Sequence, residues 1–321
     1  MRQTIPAAAF AAFLAVTCAV PAHAQSSRAW ISGMGVDSGT CPRQSPCHTL
    51  TYALTQIFSG GEITVLDPGG YGTVVINKGV SIVSDSGSGE AGVASFSGDL
   101  ITVNAAPSDV VILRGLVIDG LGSANSGIRF NTGAALHVQN TLIKGVRAAS
   151  GVGINFTPAG ASDLHVTNTT VINNGTGLTG AGIMIKPTGS GLVRATFTRV
   201  TAEQNSAGIT IDGTASTGTI RATVRDSVLA GNNGTGLWAQ SSGTPVGVYV
   251  VNSSSAENGT VGINAGGTNA AITLMNASIL GNNVGISSTG GANIYSYKNS
   301  AINFNFGGDG AILPGNVLPL N

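Results

Sequence analysis

Between Gly127 and Ile286 the chain repeats one pattern: a Gly followed by an aliphatic residue, a short alternating apolar and polar run, a turn, and a second alternating run. The pairs Gly127-Ile128, Gly153-Ile154, Gly182-Ile183, Gly208-Ile209, Gly236-Leu237, Gly262-Ile263 and Gly285-Ile286 recur at intervals of 26, 29, 26, 28, 26 and 23 residues. A period in the twenties is the signature of a solenoid. The second run of each unit reads "LHVQNTLI", "LHVTNTTV", "ATFTRVTA", "ATVRDSVL", "VYVVNSSS" and "ITLMNASI". Alternation of this kind, rich in Val, Ile and Thr, predicts short strands. Each unit is too short and too Gly-rich to hold a crossover helix. A coil of three short strands per turn fits, with equivalent residues stacked about 4.8 Å apart on successive rungs.

Two sets of asparagines keep step with the repeat. Asn140, Asn168, Asn252 and Asn276 share one position, and Asn174, Asn205, Asn232, Asn258 and Asn282 fall in the turn before the next Gly. Both are expected to be ladders of turn residues, since Asn tolerates left-handed backbone and can hydrogen-bond its equivalent on the next rung.

The N-terminal part reads differently. In "HTLTYALTQIFSGG" the apolar residues Leu50, Ala53, Leu54, Ile57 and Phe58 follow helical spacing, and Gly60-Gly61 stops the run. A solenoid needs its open end covered, and this amphipathic helix is expected to cap it. Ahead of it stand Cys41 and Cys47 in "CPRQSPC", a spacing that fits no common zinc pattern. In an oxidising compartment they form a disulfide that clips the cap. Further back, Arg2, an apolar run from Ala7 to Val20 and Ala22-His23-Ala24 follow the order of a secretory signal peptide, with cleavage expected after Ala24. The apolar run is 14 residues long, too short for an ordinary membrane span. Thr17 before Cys18 is bulkier than the residue a lipid-anchored N-terminus uses there. The expected organisation is a signal peptide over 1–24, a cap with disulfide and helix over 25–61, a β-helix over 62–306 and a C-terminal tail or cap over 307–321.

Helix, "GGEITVLDPGGYG", paired apolar strands and Gly-Ile-x-Ile rungs together resemble the right-handed parallel β-helix superfamily of pectate lyases and related secreted proteins. The resemblance covers roughly Trp30 to Phe306. It implies an all-β fold, a single-stranded right-handed parallel β-helix solenoid with an N-terminal capping helix. In the resembled enzymes one outer sheet carries the active-site groove. Alternation here places Arg129, Asn155, Met184, Thr210, Trp238, Asn264 and Ser287 outward on the equivalent strands, with Lys186, Asp212 and Gln240 in the neighbouring column.

Polygalacturonases of that superfamily carry aspartates before and within these strands. None of the residues preceding the repeat glycines, Ser126, Val152, Ala181, Ala207, Thr235, Val261 and Val284, is acidic. A glycoside hydrolase needs two carboxyl groups about one bond, and the stripe offers Asp212 alone, which argues against hydrolysis. A polysaccharide lyase needs only a base such as Arg129 or Lys186 and a stabilising cation. Calcium would enter as a cofactor only in that case, and no cluster of acidic residues marks a site for it. Lys186 with Asp212, and Arg199 with Asp226, occupy equivalent places on consecutive rungs and read as inter-rung salt bridges. His137 and His165 are expected to stack on the outer surface.

Composition narrows the partners. Loss of Arg2 with the signal peptide reduces the 14 basic residues to 13, against 14 acidic ones. That balance gives no field for nucleic acid or an anionic membrane. The preferred function is a noncatalytic exported β-helix, periplasmic or extracellular, that binds a polysaccharide or another surface component. Arg129, Asn155, Lys186, Asp212, Trp238 and Gln240 are the candidate ligand residues, and Trp238 and Tyr249 the candidate sugar-stacking rings. The alternatives are a divergent pectate-type lyase with Arg129, Lys186 or Asp212 in catalytic roles, and a structural or adhesive surface module. The sequence is silent on oligomeric state.

Overall fold

The computed structural model of the chain describes residues 25–85 and 89–319, so the segment read as a signal peptide lies outside the described residues. Among those residues, nine strands form one parallel sheet in chain order, from Val74–Ile76 and Asp99–Asn104 through Ser126–Thr132 to Val284–Thr289. This is the front sheet. Nineteen further strands form a second sheet that wraps the remaining sides of the coil, the back sheet. Strands pair in parallel with their equivalents one turn below and above, which makes the fold a single right-handed parallel β-helix.

The repeat glycines and aliphatics explain the interior. Ile128, Ile154, Ile183, Ile209, Leu237, Ile263 and Ile286 form one inward column, none more than 3% exposed, with each residue in register with the next. Two residues along, Phe130 and Phe156 stack with ring centroids 4.5 Å apart. Alternation sends these side chains to the core and their neighbours outward.

The first asparagine set bends the chain as expected. Asn140, Asn168, Asn252 and Asn276 have φ of 49°, 49°, 49° and 56°. Arg199 and Asp226 fill the same corner on the two intervening rungs, with φ of 52° and 50°. Their expected mutual salt bridge is absent among the described residues. Arg199 Nε instead donates to Asn168 Oδ1, and Asp226 Oδ1 accepts from Asn252 Nδ2. Each corner residue reaches along its own ladder of amides, and the two charges turn to different partners.

The second set differs from expectation. Asn174, Asn205, Asn232, Asn258 and Asn282 are at most 1% exposed, and the left-handed backbone belongs to the residue before each of them: Asn173, Gln204, Gly231, Glu257 and Gly281. The asparagines themselves turn inward. Asn232 Oδ1 accepts from the Asn205 amide at 3.0 Å and from Asn205 Nδ2 at 3.2 Å. Asn232 Nδ2 donates to Ala202 O at 3.1 Å and to Asn258 Oδ1 at 2.9 Å. The same linkage runs from Asn174 to Asn305, where Asp309 Oδ1 accepts from the Asn305 amide at 3.1 Å and its Nδ2 at 2.9 Å. This ladder also accounts for the repeat glycine. A Cβ on Gly208 would stand 2.4 Å from Gly236 O and 3.0 Å from Asn232 Nδ2, and one on Gly262 would stand 2.7 Å from Asn282 Nδ2.

The lower end is closed as predicted by one short helix, Leu50–Gln56, packed against the strands Ser26–Ile31, Ile57–Val65 and Val74–Ile76. Thr49 caps its N-terminus by accepting from the Tyr52 amide, and Asp37 in turn accepts from the Thr49 hydroxyl and amide. Lys78 Nζ donates to Leu54 O and Ile57 O at the other end, where a cation suits the helix dipole. The helix is shorter than its apolar spacing predicts. Ile57 and Phe58 already belong to the strand Ile57–Val65, whose pairing with Ser26–Ile31 outweighs local helical preference. Cys41 and Cys47 form the expected disulfide, both fully buried.

The ladder makes a sharp prediction. Asn232→Asp would aim a carboxylate oxygen at two acceptors, Ala202 O and Asn258 Oδ1, in a dry interior. It should cost roughly 3 kcal/mol or more. Asp309→Asn, at the terminus where only acceptance is needed, should cost less than about 1 kcal/mol. Urea denaturation midpoints measure both, and equal losses would show that the ladder has no polarity.

Candidate functional site

The outward stripe of the front sheet is built as the alternation predicts. Thr102, Arg129, Asn155, Met184, Thr210, Trp238, Asn264 and Ser287 follow one another in register. Beside them, Lys186, Asp212, Gln240, Gly266 and Thr289 occupy successive rungs. The six candidate ligand residues fall into two groups rather than one. Arg129 and Asn155 are adjacent near the lower end, whereas Lys186, Asp212, Trp238 and Gln240 cluster higher. Arg129 and Trp238 stand four rungs apart, about 19 Å at the usual strand spacing.

The lower group contains a residue that scanning the Gly-aliphatic pairs misses. Asp99 begins the strand Asp99–Asn104, in register with Ser126 in the column that precedes the repeat glycine. Its own rung has Leu100 where the others have Gly, which hides it; the alternation of "DLITVN" would have revealed it. Arg129 Nε donates to Asp99 Oδ2 at 2.6 Å. Asp99 and Asp212 lie four rungs apart, about 19 Å along the axis alone, and on opposite sides of the stripe, whereas the paired carboxyl groups of a glycoside hydrolase sit about 5 to 9.5 Å apart. That separation leaves no two-carboxylate centre between them.

In the upper group Lys186 Nζ meets Asp212 Oδ2 at 3.0 Å, the predicted inter-rung pair. Asp212 Oδ1 also accepts from the Thr214 amide at 2.9 Å and from its hydroxyl at 2.5 Å. Burial pushes the Asp212 carboxyl up, but the bonds from Thr214 and Lys186 outweigh it and hold it below the ordinary carboxylate value. Every one of these contacts serves the turn after the strand. Thr210 points outward yet is only 5% exposed, flanked in register by Met184 and Trp238.

Trp238 is half-buried, and a Cβ built on Gly266 would stand 3.6 Å from its Nε1. The indole N–H therefore lies over bare backbone on the next rung. It is buried without a hydrogen-bond partner, as are Asn155 Oδ1 and Asn264 Oδ1 in the same column and Asp99 Oδ1 and Ser126 Oγ beside it. Buried polar groups almost always find partners; of the six such atoms without one among the described residues, three lie in this column, two three positions earlier on the front strands, and Ser84 Oγ on the back sheet. Among the described residues no three of His, Cys, Asp and Glu are grouped so as to hold a metal ion.

The coil, its parallel register and its outer stripe define a right-handed β-helix protein. Residues 61–254 match the family model described as "Right handed beta helix region", more than half of the chain, and the chain belongs to that family. No curated protein matches the chain significantly.

On the back sheet, His137 and His165 stack as predicted, with centroids 4.6 Å apart and planes at 17°. Ile112 and Thr196 flank them in the column, and Asp163 stands two residues before His165, held by Arg194. Burial, and secondly the charge on His165, lower the His137 pKa from the ordinary 6.5, while Asp163 opposes the shift. The fold thus favours neutral His137: its contribution is complete above that ordinary value and is lost as pH falls through the lower folded-state value. Melting temperature should drop between about pH 7.5 and about pH 5, and less so in His137→Gln. Parallel profiles in the two proteins would show that the pair does not titrate with folding.

Proposed function

We propose that this chain is an exported, noncatalytic β-helix that binds a polysaccharide along the outer stripe of its front sheet, in the segment around Trp238. The observation that carries the reading is the half-buried Trp238 ring on the outer stripe, with Gln240 two residues along its strand and the bare backbone of Gly266 on the next rung. An indole offers an apolar face to the C–H face of a sugar. The bare backbone of Gly266 leaves space for a ring to approach. Arg129 and Asn155, further down the same stripe, would contact a longer chain. Export rests on the charged, apolar and small-residue order of the first 24 residues.

Against a lyase stands the state of the two candidate bases. Lys186 is ion-paired with Asp212, and Arg129 with Asp99. Each cation therefore holds a structural contact that proton abstraction from a sugar would have to displace.

The test uses Trp30→Phe, which leaves Trp238 as the single indole. Oligosaccharides from a glycan panel should shift the Trp238 emission. Gly266→Ala should weaken that binding several-fold while leaving the melting temperature unchanged, because its Cβ meets nothing closer than 3.6 Å. A panel in which no glycan moves the emission, or a Gly266→Ala protein that binds as well as its parent, would sink the proposal. Release of unsaturated, ultraviolet-absorbing sugar ends that depends on Lys186 or Arg129 would replace it with the lyase.

A further inference from the structure

We propose that the short-strand arm of the back sheet and the corner beyond it form a self-complementary face, on which a second copy of this chain docks antiparallel about a two-fold axis. The face lies away from the Trp238 stripe and stands independently of the glycan reading.

Beyond the corner of Asn140, Asn168, Asn252 and Asn276 the back sheet turns into an arm of three-residue strands, Leu142–Lys144, Val228–Ala230, Ser254–Ala256 and Ser278–Leu280. The second halves of the strands Ser162–Ile172 and Val193–Glu203 fill the two rungs between the first and second of these. On its upper three rungs the outward residues are Val228, Ala230, Ser254, Ala256, Ser278 and Leu280, small or aliphatic and without a charge. Such a face can be approached closely, but it selects no partner. The charges and the relief along the adjoining corner do.

The residue after each arm strand forms one corner column: Gly145, Asn173, Gln204, Gly231, Glu257 and Gly281, each with left-handed backbone. Glu257 is exposed and forms no salt bridge among the described residues. Three rungs below it the exposed Arg147 donates from its guanidinium to Asn173 Oδ1, and it too has no carboxylate partner among those residues. One column therefore holds an unpaired cation and an unpaired anion about 14 Å apart along the axis. A two-fold axis lying across the arm, midway between the Gln204 and Gly231 rungs, reverses the column against itself. It sets each Arg147 opposite Glu257 of the second copy, as an isologous interface requires. Glu203 then faces Ala230 of the second copy instead of its own like charge.

The relief obeys the same axis. Leu178, in the loop between Ile172 and Ala181, is 100% exposed. Further up the corner a groove of about 540 Å³ is lined by Glu257, Gly259, Gly281 and Phe306, the last with its ring 88% exposed. Gly259 follows Asn258 as Gly175, at the start of the Leu178 loop, follows Asn174, and the asparagine ladder climbs from Asn174 to Asn258 in three steps. Knob and groove are thus three rungs apart, like the two charges, and the rotation that pairs the charges delivers Leu178 to the groove of the second copy. An exposed leucine gains by leaving water. A foreign partner of either net charge would meet one charge of its own sign here, whereas this chain carries the matching cation, anion, knob and groove at the spacing the axis demands.

Sedimentation velocity of the purified protein over a concentration series tests the proposal. A monomer–dimer equilibrium that stops at the dimer and is weakened by salt is the expected result. Arg147→Glu and Glu257→Arg should each weaken dimerisation at least about tenfold. An equimolar mixture of the two variants should restore it, because every contact between them again joins opposite charges. Leu178→Ser should weaken it several-fold. All three positions are exposed, so melting temperatures measured in dilute solution should stay level, and a variant that had merely lost its fold would not be rescued by mixing. A wild-type protein that stays monomeric, assembly that continues past the dimer, indifference to either charge reversal or to Leu178→Ser, or a mixture that remains monomeric would each overturn the proposal.

Discussion

Everything in this coil depends on how the buried corner between the back and front sheets satisfies its backbone. Each rung bends there with its amides shut away from water, and a buried N–H left unpaired costs about 1 to 3 kcal/mol. On the rungs from Asn174 to Asn305 one asparagine side chain each solves this. Its oxygen accepts two N–H groups from the rung below, and its nitrogen donates to a backbone carbonyl and to the next asparagine. The amide dipoles all point the same way, with N–H groups toward the C-terminal end. The last donor meets the Asp309 carboxylate, the one group in the stack that only has to accept.

The ladder dictates the sequence around it. Its amides stand within 3.3 Å of where a Cβ would project from the first residue of the front strand on each rung from Gly153 to Gly285, and that residue is glycine; at Gly127 the Gly153 carbonyl and the Ile143 side chain fill the same space. The residue before the asparagine takes left-handed backbone, with no further demand on its side chain: Asn, Gln, Gly, Glu and Phe all serve. Two residues of the repeat are thus fixed by hydrogen bonding and close packing, and the inward aliphatics by burial.

This explains what could be read from sequence. Residues that meet their own equivalents inside the coil leave a periodic trace, which is why the Gly-Ile rungs and the inward register were legible, whereas the helix showed through its own apolar spacing and the Cys41–Cys47 pair through its isolation. The burial of the second asparagine set was not legible, because Asn at a left-handed corner and Asn pointing into a dry ladder recur with the same period. Asp99 escaped because its rung replaces the glycine that marks the others. The Arg199 and Asp226 pairing failed for a further reason. Equivalence between rungs places two residues side by side, but the rotamer decides whether a side chain turns up or down, and each found a nearer amide.

Outward positions carry no such trace. Arg129, Asn155, Met184, Thr210 and Trp238 stand in one register column with no chemical property in common, whereas every residue of the adjacent inward column is Ile or Leu. Chemistry on this fold is therefore written as exceptions to the repeat, and it must be sought in unpartnered groups rather than in periodicity. The backbone still constrains it. Any two outward groups in a column are separated along the axis by a multiple of about 4.8 Å, on a surface that is straight where a compact ligand would need a concavity. A ring or a charge on such a ruler takes its spacing from the backbone repeat.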